Sequence, residues 1–272
     1  ARWHPERGKW QAGPFDLPVW KRVMFRWQEA LAEDGWNALF WSNHDLPRAV
    51  SAFGDPGTHR VASARALAAA LHLMKGTPYI YQGEEIGMPS ASFAALEDFR
   101  DVETLNFHRI ETGRGMSFAD FLEGANMNGR DTSRTPVHWT AGPNAGFTEG
   151  EPWIGVSRHH AEVNVEADRA DPGGVFARYR HLARLRRDSR LVSHGTFRGV
   201  AEDDPRVLAY ARELEGQRLT VLANMSGEGC TFALPGDLAV RGRSVLEDGA
   251  EAALEGRIDL GPWEVRAVAG PV

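Results

Sequence analysis

Two short apolar runs, Trp36 to Trp41 and Tyr79 to Tyr81, each end in a knot of polar residues, and each follows a stretch of helical periodicity. The first helix starts at Asp16-Leu17-Pro18, with Asp16 as N-cap and Pro18 in the first turn. Trp20, Val23, Met24, Trp27 and Leu31 then recur at helical spacing, and Gly35 is the expected stop. A second helix carries Val61, Ala64, Leu67, Ala68, Leu71 and Met74 on one face and closes at Lys75-Gly76. The order helix, strand, helix, strand is the grammar of a parallel sheet. In such sheets functional residues sit just past the C-terminal ends of the strands.

Beyond Glu85 the pattern loosens. Residues 86 to 172 are rich in Gly, Asn, Asp and Pro and lack long periodic stretches, which marks a functional insertion rather than filler. A third helix is expected from about Gly174 to Asp188, with Phe176, Tyr179, Leu182 and Leu185 on one face. From about His194 the periodicity becomes two. Val207 to Ala211 and Leu219 to Ala223 flank a turn at Glu215-Gly216, a hairpin, and short strands follow at Thr231–Leu234, Ser244–Leu246, Ile258–Leu260 and Trp263–Val268. The expected division is an α/β part over 1–190 and an all-β, antiparallel part over 191–272.

Composition narrows the function. Thirty-one basic and 37 acidic residues, well mixed, give a net charge of −6. A nucleic-acid binder would show a basic stripe. The nearest approach, Arg184, Arg186, Arg187 and Arg190, reads as a solvated helix end that complements the helix dipole. Cys230 is the only cysteine, so no internal disulfide can form, in keeping with a reducing cytoplasm. The longest apolar stretch, Ala66 to Met74, is too short to cross a bilayer. The opening Ala1-Arg2-Trp3-His4 carries neither an initiator Met nor a signal-peptide pattern, which suggests a fragment. No zinc-type spacing, phosphate-binding loop or GxSxG is present, and His159-His160 reads as a solvated loop pair. No metal and no cofactor are expected.

The chemistry-bearing segment is Phe40-Trp41-Ser42-Asn43-His44-Asp45-Leu46-Pro47-Arg48. A His-Asp pair after an apolar strand is weak by itself, since an N-cap Asp beside a structural His gives the same letters. Its context adds weight. Tyr79 to Met88 lies one βα unit downstream, followed by Glu97-Asp98-Phe99-Arg100-Asp101-Val102-Glu103-Thr104 and Gly129-Arg130-Asp131-Thr132-Ser133-Arg134-Thr135-Pro136-Val137-His138-Trp139. Pro143 to Thr148 and Glu151-Pro152-Trp153-Ile154 complete the series.

In this order the segments resemble glycoside hydrolase family 13, the α-amylase family, and within it the oligo-1,6-glucosidase and α-glucosidase branch. The resemblance implies the C-terminal part of a (β/α)8 TIM barrel, its last two βα units with a long insertion, followed by an antiparallel β-sandwich domain. The Asn-His-Asp motif would close the seventh strand, and Gln82 to Glu85 would follow the eighth. A whole barrel needs about 250 residues. About 190 lie outside the β domain, and the insertion takes nearly half of those.

What the resemblance implies for function is a retaining α-glucosidase acting on terminal α-linked glucose of short oligosaccharides. Its nucleophile and general acid, at the ends of strands four and five, would lie before Ala1, so this chain alone is expected to be inactive. Asp45 would be the family's third carboxylate, stabilising the transition state, with His44 donating to the same sugar. Arg130 would lie between nucleophile and sugar, with Arg134 as a neighbour better suited to a structural ion pair. Glu103 either faces the aglycone side or makes a loop salt bridge. Asp101, despite its Phe-Arg-Asp context, and Glu84 receive neither catalytic role. The implied partners are an α-glucoside oligosaccharide and the missing N-terminal half of the barrel, or else self-association. Family transglycosylases and sucrose isomerases share this half. A non-catalytic homologue and a carbohydrate-binding module are rivals that His44, Asp45 and Arg130 argue against.

Overall fold

The computed structural model describes residues 3, 4, 6 and 8–272; Ala1, Arg2, Pro5 and Arg7, within the opening segment discussed above, lie outside the described residues. In chain order the elements are β1 (Trp3–His4), β2 (Gly8–Ala12), α1 (Leu17–Ala30), β3 (Ala38–Leu39), α2 (Ala49–Phe53), α3 (Arg60–His72) and β4 (Thr77–Pro78). Helices α4 (Val102–Gly113), α5 (Phe118–Asn128), α6 (Val165–Ala170), α7 (Val175–Asp188) and α8 (Arg190–His194) follow. Then come β5 (Arg198–Val200), β6 (Val207–Leu214), β7 (Gln217–Asn224), β8 (Cys230–Ala233), β9 (Val240–Ser244), β10 (Glu251–Leu254), β11 (Arg257–Leu260) and β12 (Val265–Pro271).

These elements gather into two compact units. One takes residues 1–15, 41–56 and 80–177, the other 16–40, 57–79 and 178–272. The cut at 190 drawn on the sequence runs along the chain, whereas the units interleave segments. Helices α1 and α3 and strands β3 and β4 share a unit with the β domain.

Within that second unit, β3 and β4 pair in parallel, Ala38 with Thr77 and Leu39 with Pro78. The ladder is shorter than the apolar runs suggested, and the second strand precedes Tyr79 instead of starting there. Thr77 N–H donates to Asn37 O at 2.8 Å and Tyr79 N–H to Leu39 O at 2.7 Å. Pro78 falls between these donors, where its missing N–H costs this ladder nothing. The β domain contains a six-stranded antiparallel sheet in the order β10-β9-β12-β7-β6-β5, and a separate β11-β8 pair. Val207, Ala209, Leu222 and Val268 from the large sheet share one core with Phe232, Ile258 and Leu260 from the pair, which makes a sandwich. Glu215 and Gly216 turn the β6-β7 hairpin with φ of 51° and 75°. Two positive φ values in a two-residue loop match the right-handed twist of the strands. Strands β5 and β10 were not foreseen, and β9 ends at Ser244, where a strand had been expected to begin.

Helix α1 begins as expected, Asp16 Oδ1 accepting from Val19 N–H at 2.8 Å. It ends at Ala30, before Gly35. Its apolar stripe is not its buried face. Val23 and Trp27 are 52% and 54% exposed, while Leu17, Lys21, Phe25 and Gln28 are buried. The reason is polar. The Lys21 ammonium donates to the carbonyls of Ala201, Asp204 and Val207 at 2.6, 2.6 and 2.9 Å, and Gln28 Nε2 donates to Lys75 O at 2.8 Å. Gly199 of β5 lies so close to Phe25 that a side chain there would collide with the ring. Leu67 and Leu71, on the apolar face of α3, are fully buried.

The reading of Arg184 to Arg190 as a solvated end also needs correction at Arg186. Its guanidinium donates to His72 O at 2.5 Å, to Met74 O at 2.9 Å and to Gly76 O, closing the turn between α3 and β4. Among the described residues no helix is long and apolar enough to cross a membrane.

In the first unit, β2 lies against α5, and a Cβ at Gly124 would run into the Trp10 carbonyl. Trp10, Phe99, Phe121 and Ala125 form the buried centre of this region. Trp10 stacks on Phe107 and Phe121 at 5.3 and 5.4 Å. The insertion is therefore a packed substructure, with α4, α5 and α6 as helices of its own.

Candidate functional site

Asp45 owes its position to local turn chemistry. Asn43 Oδ1 accepts from Asp45 N–H at 2.8 Å, a side-chain-capped turn. The residues before it are anchored: Trp41 is buried, and Ser42 Oγ donates to Glu84 Oε2 at 2.8 Å. Arg48, 2% exposed, is anchored too, donating through Nη1 to Gln82 O at 2.8 Å and through Nη2 to Thr135 O at 3.2 Å. Burial pushes its guanidinium down to about 10. Gly83, at φ +88°, has no side chain to block that guanidinium; a Cβ there would stand 2.7 Å from Nη1. Between these anchors His44 and Asp45 project to the surface, with side chains 70% and 49% exposed.

Arg130 opens a single 3-10 turn directly after α5. Its guanidinium faces three carboxylates. Nε donates to Asp101 Oδ2 at 2.8 Å and Nη2 to Asp101 Oδ1 at 2.6 Å, a bidentate fork. Nε also lies 3.3 Å from Glu103 Oε2, and Nη1 lies 3.6 Å from Asp45 Oδ1. Arg134, one turn on, is closer to Asp45: Nη2 donates to Oδ1 at 2.7 Å and Nε to His44 O at 2.7 Å. His44 Nε2 stands 3.3 Å from Asp45 Oδ2. The structure thus brings Asp45, His44, Arg130 and Glu103 into one cluster. Arg134 makes the ion pair foreseen for it, with Asp45 as the partner. Glu103 is paired as well, accepting from Lys9 Nζ at 2.6 Å.

Two members escaped the sequence reading. Lys9 lies on β2, far from the motifs. Asp101 had been noticed and set aside, yet it caps α4 by accepting from Glu103 N–H at 3.2 Å and receives both arms of Arg130. Burial alone would raise its carboxyl. The hydrogen bonds from Arg130 and Glu103 N–H, with the charges of Arg130 and Arg134, outweigh that and hold it below the usual carboxylate range. Arg130 is raised in turn, first by its hydrogen bond to Asp101. The spacing of Asp101 and Glu103, which puts both in the first turn of a helix, is the signal that could have flagged them.

His159 and His160 are half-buried rather than solvated. His160 packs 6.1 Å from the ring of His138, whose Nδ1 bonds Val163 O at 2.8 Å. Burial holds His138 down to about 4. Among the described residues no group of His, Cys, Asp and Glu could hold a metal ion.

Chemically, the cluster is a fixed anion with an open side. One oxygen of Asp45 is taken by Arg134; the other lies beside His44 on a half-exposed side chain, and a carboxylate oxygen so placed can accept from a hydroxyl. Asp101 and Glu103 are committed to cations.

A family model described as the catalytic domain of alpha-amylase matches residues 2–195. A palatinase from Erwinia rhapontici is 44% identical over 264 residues, covering 96% of this chain and 48% of its own. An oligo-1,6-glucosidase from Parageobacillus thermoglucosidasius is 43% identical over 263 residues, 95% of this chain and 47% of its own. Among solved structures, the trehalose-6-phosphate hydrolase of Bacillus licheniformis superposes with a TM-score of 0.89 at 38% identity, over 98% of this chain and 49% of that one. The chain spans about half the length of the curated relatives it matches.

Proposed function

Because the chain belongs to the α-amylase family of glycoside hydrolases, we propose that it carries the sugar-holding part of a retaining α-glucosidase acting on terminal α-linked glucose of short oligosaccharides. The observation that carries this reading is the exposed Asp45 carboxylate, fixed on one oxygen by Arg134 and faced by Arg130 and His44.

In this reading Asp45 accepts hydrogen bonds from hydroxyls of the glucose being released. Those bonds strengthen as the ring flattens toward an oxocarbenium ion, so they favour the transition state over the ground state. His44 donates to the same sugar. Arg130 presents Nη1 beside Asp45, where a fixed cation can orient a carboxylate, and Glu103 borders the aglycone side. Retention needs two further carboxyl groups about 5 Å apart, one as nucleophile and one as acid/base. Asp101 and Glu103 are locked in ion pairs and suit neither part. We assign both parts to residues outside these 272, in the N-terminal half of a barrel that this chain completes. The exposed Val19, Val23 and Trp27 of α1 offer that half an apolar docking face. The place of work is the cytoplasm.

The test is an assay of the purified chain on a chromogenic α-glucoside, alone and together with a polypeptide carrying the complementary half. The expected result is no turnover alone and turnover in the complex, with glucose as product. Turnover by the chain alone, the complement shown absent by mass spectrometry, overturns the division of labour. An isomerised disaccharide as the main product from sucrose overturns the assignment as a hydrolase. A monodisperse monomer with little binding of an apolar dye overturns the docking face.

A further inference from the structure

Asp101 and Arg130 stand 29 positions apart, and they hold each other from both sides. The Arg130 fork grips the Asp101 carboxylate, while the next residue, Asp131, accepts through Oδ2 from the backbone N–H groups of Arg100 and Asp101 at 2.6 and 2.7 Å. Asp101 is 6% exposed and Asp131 fully buried, so neither carboxylate is free to wander. A guanidinium has three nitrogens in a rigid plane. With Nε and Nη2 committed to Asp101, the plane is fixed, and the remaining nitrogen, Nη1, is the one directed at Asp45.

We infer that Asp101 is a positioning residue: its carboxylate aims the free corner of Arg130 at Asp45. Glu103 is the competing holder, but it is single-toothed, partly exposed, 3.3 Å from Nε and already neutralised by Lys9. The part of the inference that concerns Asp45 rests on the glucoside reading above. The clamp itself does not.

Asp101 also caps α4, and the two duties separate in one substitution. Asn is as good an N-cap as Asp. It offers a single neutral oxygen, so Asp101→Asn keeps the cap and removes the bidentate, charged grip. Hydrogen exchange of the Arg130 Nε–H, followed by NMR on the arginine-labelled 272-residue chain, reads the grip. The amide of Glu103, which Asp101 caps, reads the helix. In Asp101→Asn the Arg130 Nε–H is expected to exchange about 10–100-fold faster, the range for losing a hydrogen bond to a charged group, while the Glu103 amide keeps its protection. Glu103→Gln is expected to leave the Arg130 Nε–H slow. The inference is overturned if Arg130 stays protected in Asp101→Asn, if protection at Glu103 collapses together with it, or if Glu103→Gln frees Arg130 to the same extent. No sugar enters this measurement. Its failure leaves the glucoside reading standing, and a complete enzyme indifferent to Asp45→Asn would leave the clamp standing.

Discussion

Around Asp45, Arg130 and Arg134 meet carboxylates. In the unit that holds the β domain, three cations taken inside the fold meet carbonyls instead. Lys21 spans three carbonyls, Arg186 closes the turn after α3, and the buried Arg212 donates to Leu73, Val192, Gly195 and Thr196 O. The electrostatic outcomes are opposite. Arg130 is raised, first by its hydrogen bond to Asp101. Burial pushes Lys21 down to about 8, against the opposing charges of Asp204, Asp203 and Glu202, and pushes Arg212 down to about 10. A cation bound to carbonyls satisfies backbone groups that a helix end or turn leaves open, and it is worth stability. A cation bound to a half-exposed carboxylate adds little stability. It fixes an anion where a ligand can reach it.

The comparison breaks first, if it breaks, at Arg212. Replacing it by Ala takes the donor from four carbonyls, three of them buried, and is expected to cost on the order of 3–5 kcal/mol in urea unfolding. A loss under about 1 kcal/mol would show that those carbonyls find other donors. Next comes Asp45→Asn, in an enzyme made complete by its other half. Turnover should fall about 10²–10³-fold with ground-state binding of the sugar much less affected, the behaviour of a group that acts in the transition state. Equal losses in binding and rate would make Asp45 a uniform binder.

A smaller effect follows from two buried imidazoles, His72 and His138, both held down to about 4 by burial. The native chain binds fewer protons than the unfolded chain between pH 4 and the ordinary 6.5. Their contribution to stability is complete above about pH 6.5, falls as the pH drops, and levels off below 4. His72→Gln should flatten part of that slope, and an unchanged slope would remove His72 as a cause. The smallest effect expected is from Arg134→Met. Its partner Asp45 is half exposed, so stability should change by less than about 1 kcal/mol.

The legibility of the sequence divides along the same line. The N-cap at Asp16 and the β6-β7 hairpin were readable because each is decided by neighbours in the chain. Asp45, His44, Arg130 and Glu103 could be named from their motifs. What could not be read is who needs a donor. Lys21 and Gln28 sit on the buried side of α1 because carbonyls of residues 201 to 207 and 75 require them, and no local periodicity records that demand. Arg186 was misread for the same reason. Asp101 was invisible as the partner of Arg130 because a cap and a clamp look alike until the fold brings them together.

The reciprocal grip of residues 100–101 on 130–131 also closes a ring. The chain leaves at Asp101, runs through α4 and α5, and returns to the same point at Arg130. The cost of closing such a ring grows only with the logarithm of its length, about 0.6 kcal/mol for each doubling. Apart from the packing of α4 and α5 around Trp10, the excursion is therefore free to lengthen, shorten or be exchanged while the guanidinium stays where the clamp puts it. A lineage could remodel that excursion many times over without once moving the residue that faces Asp45.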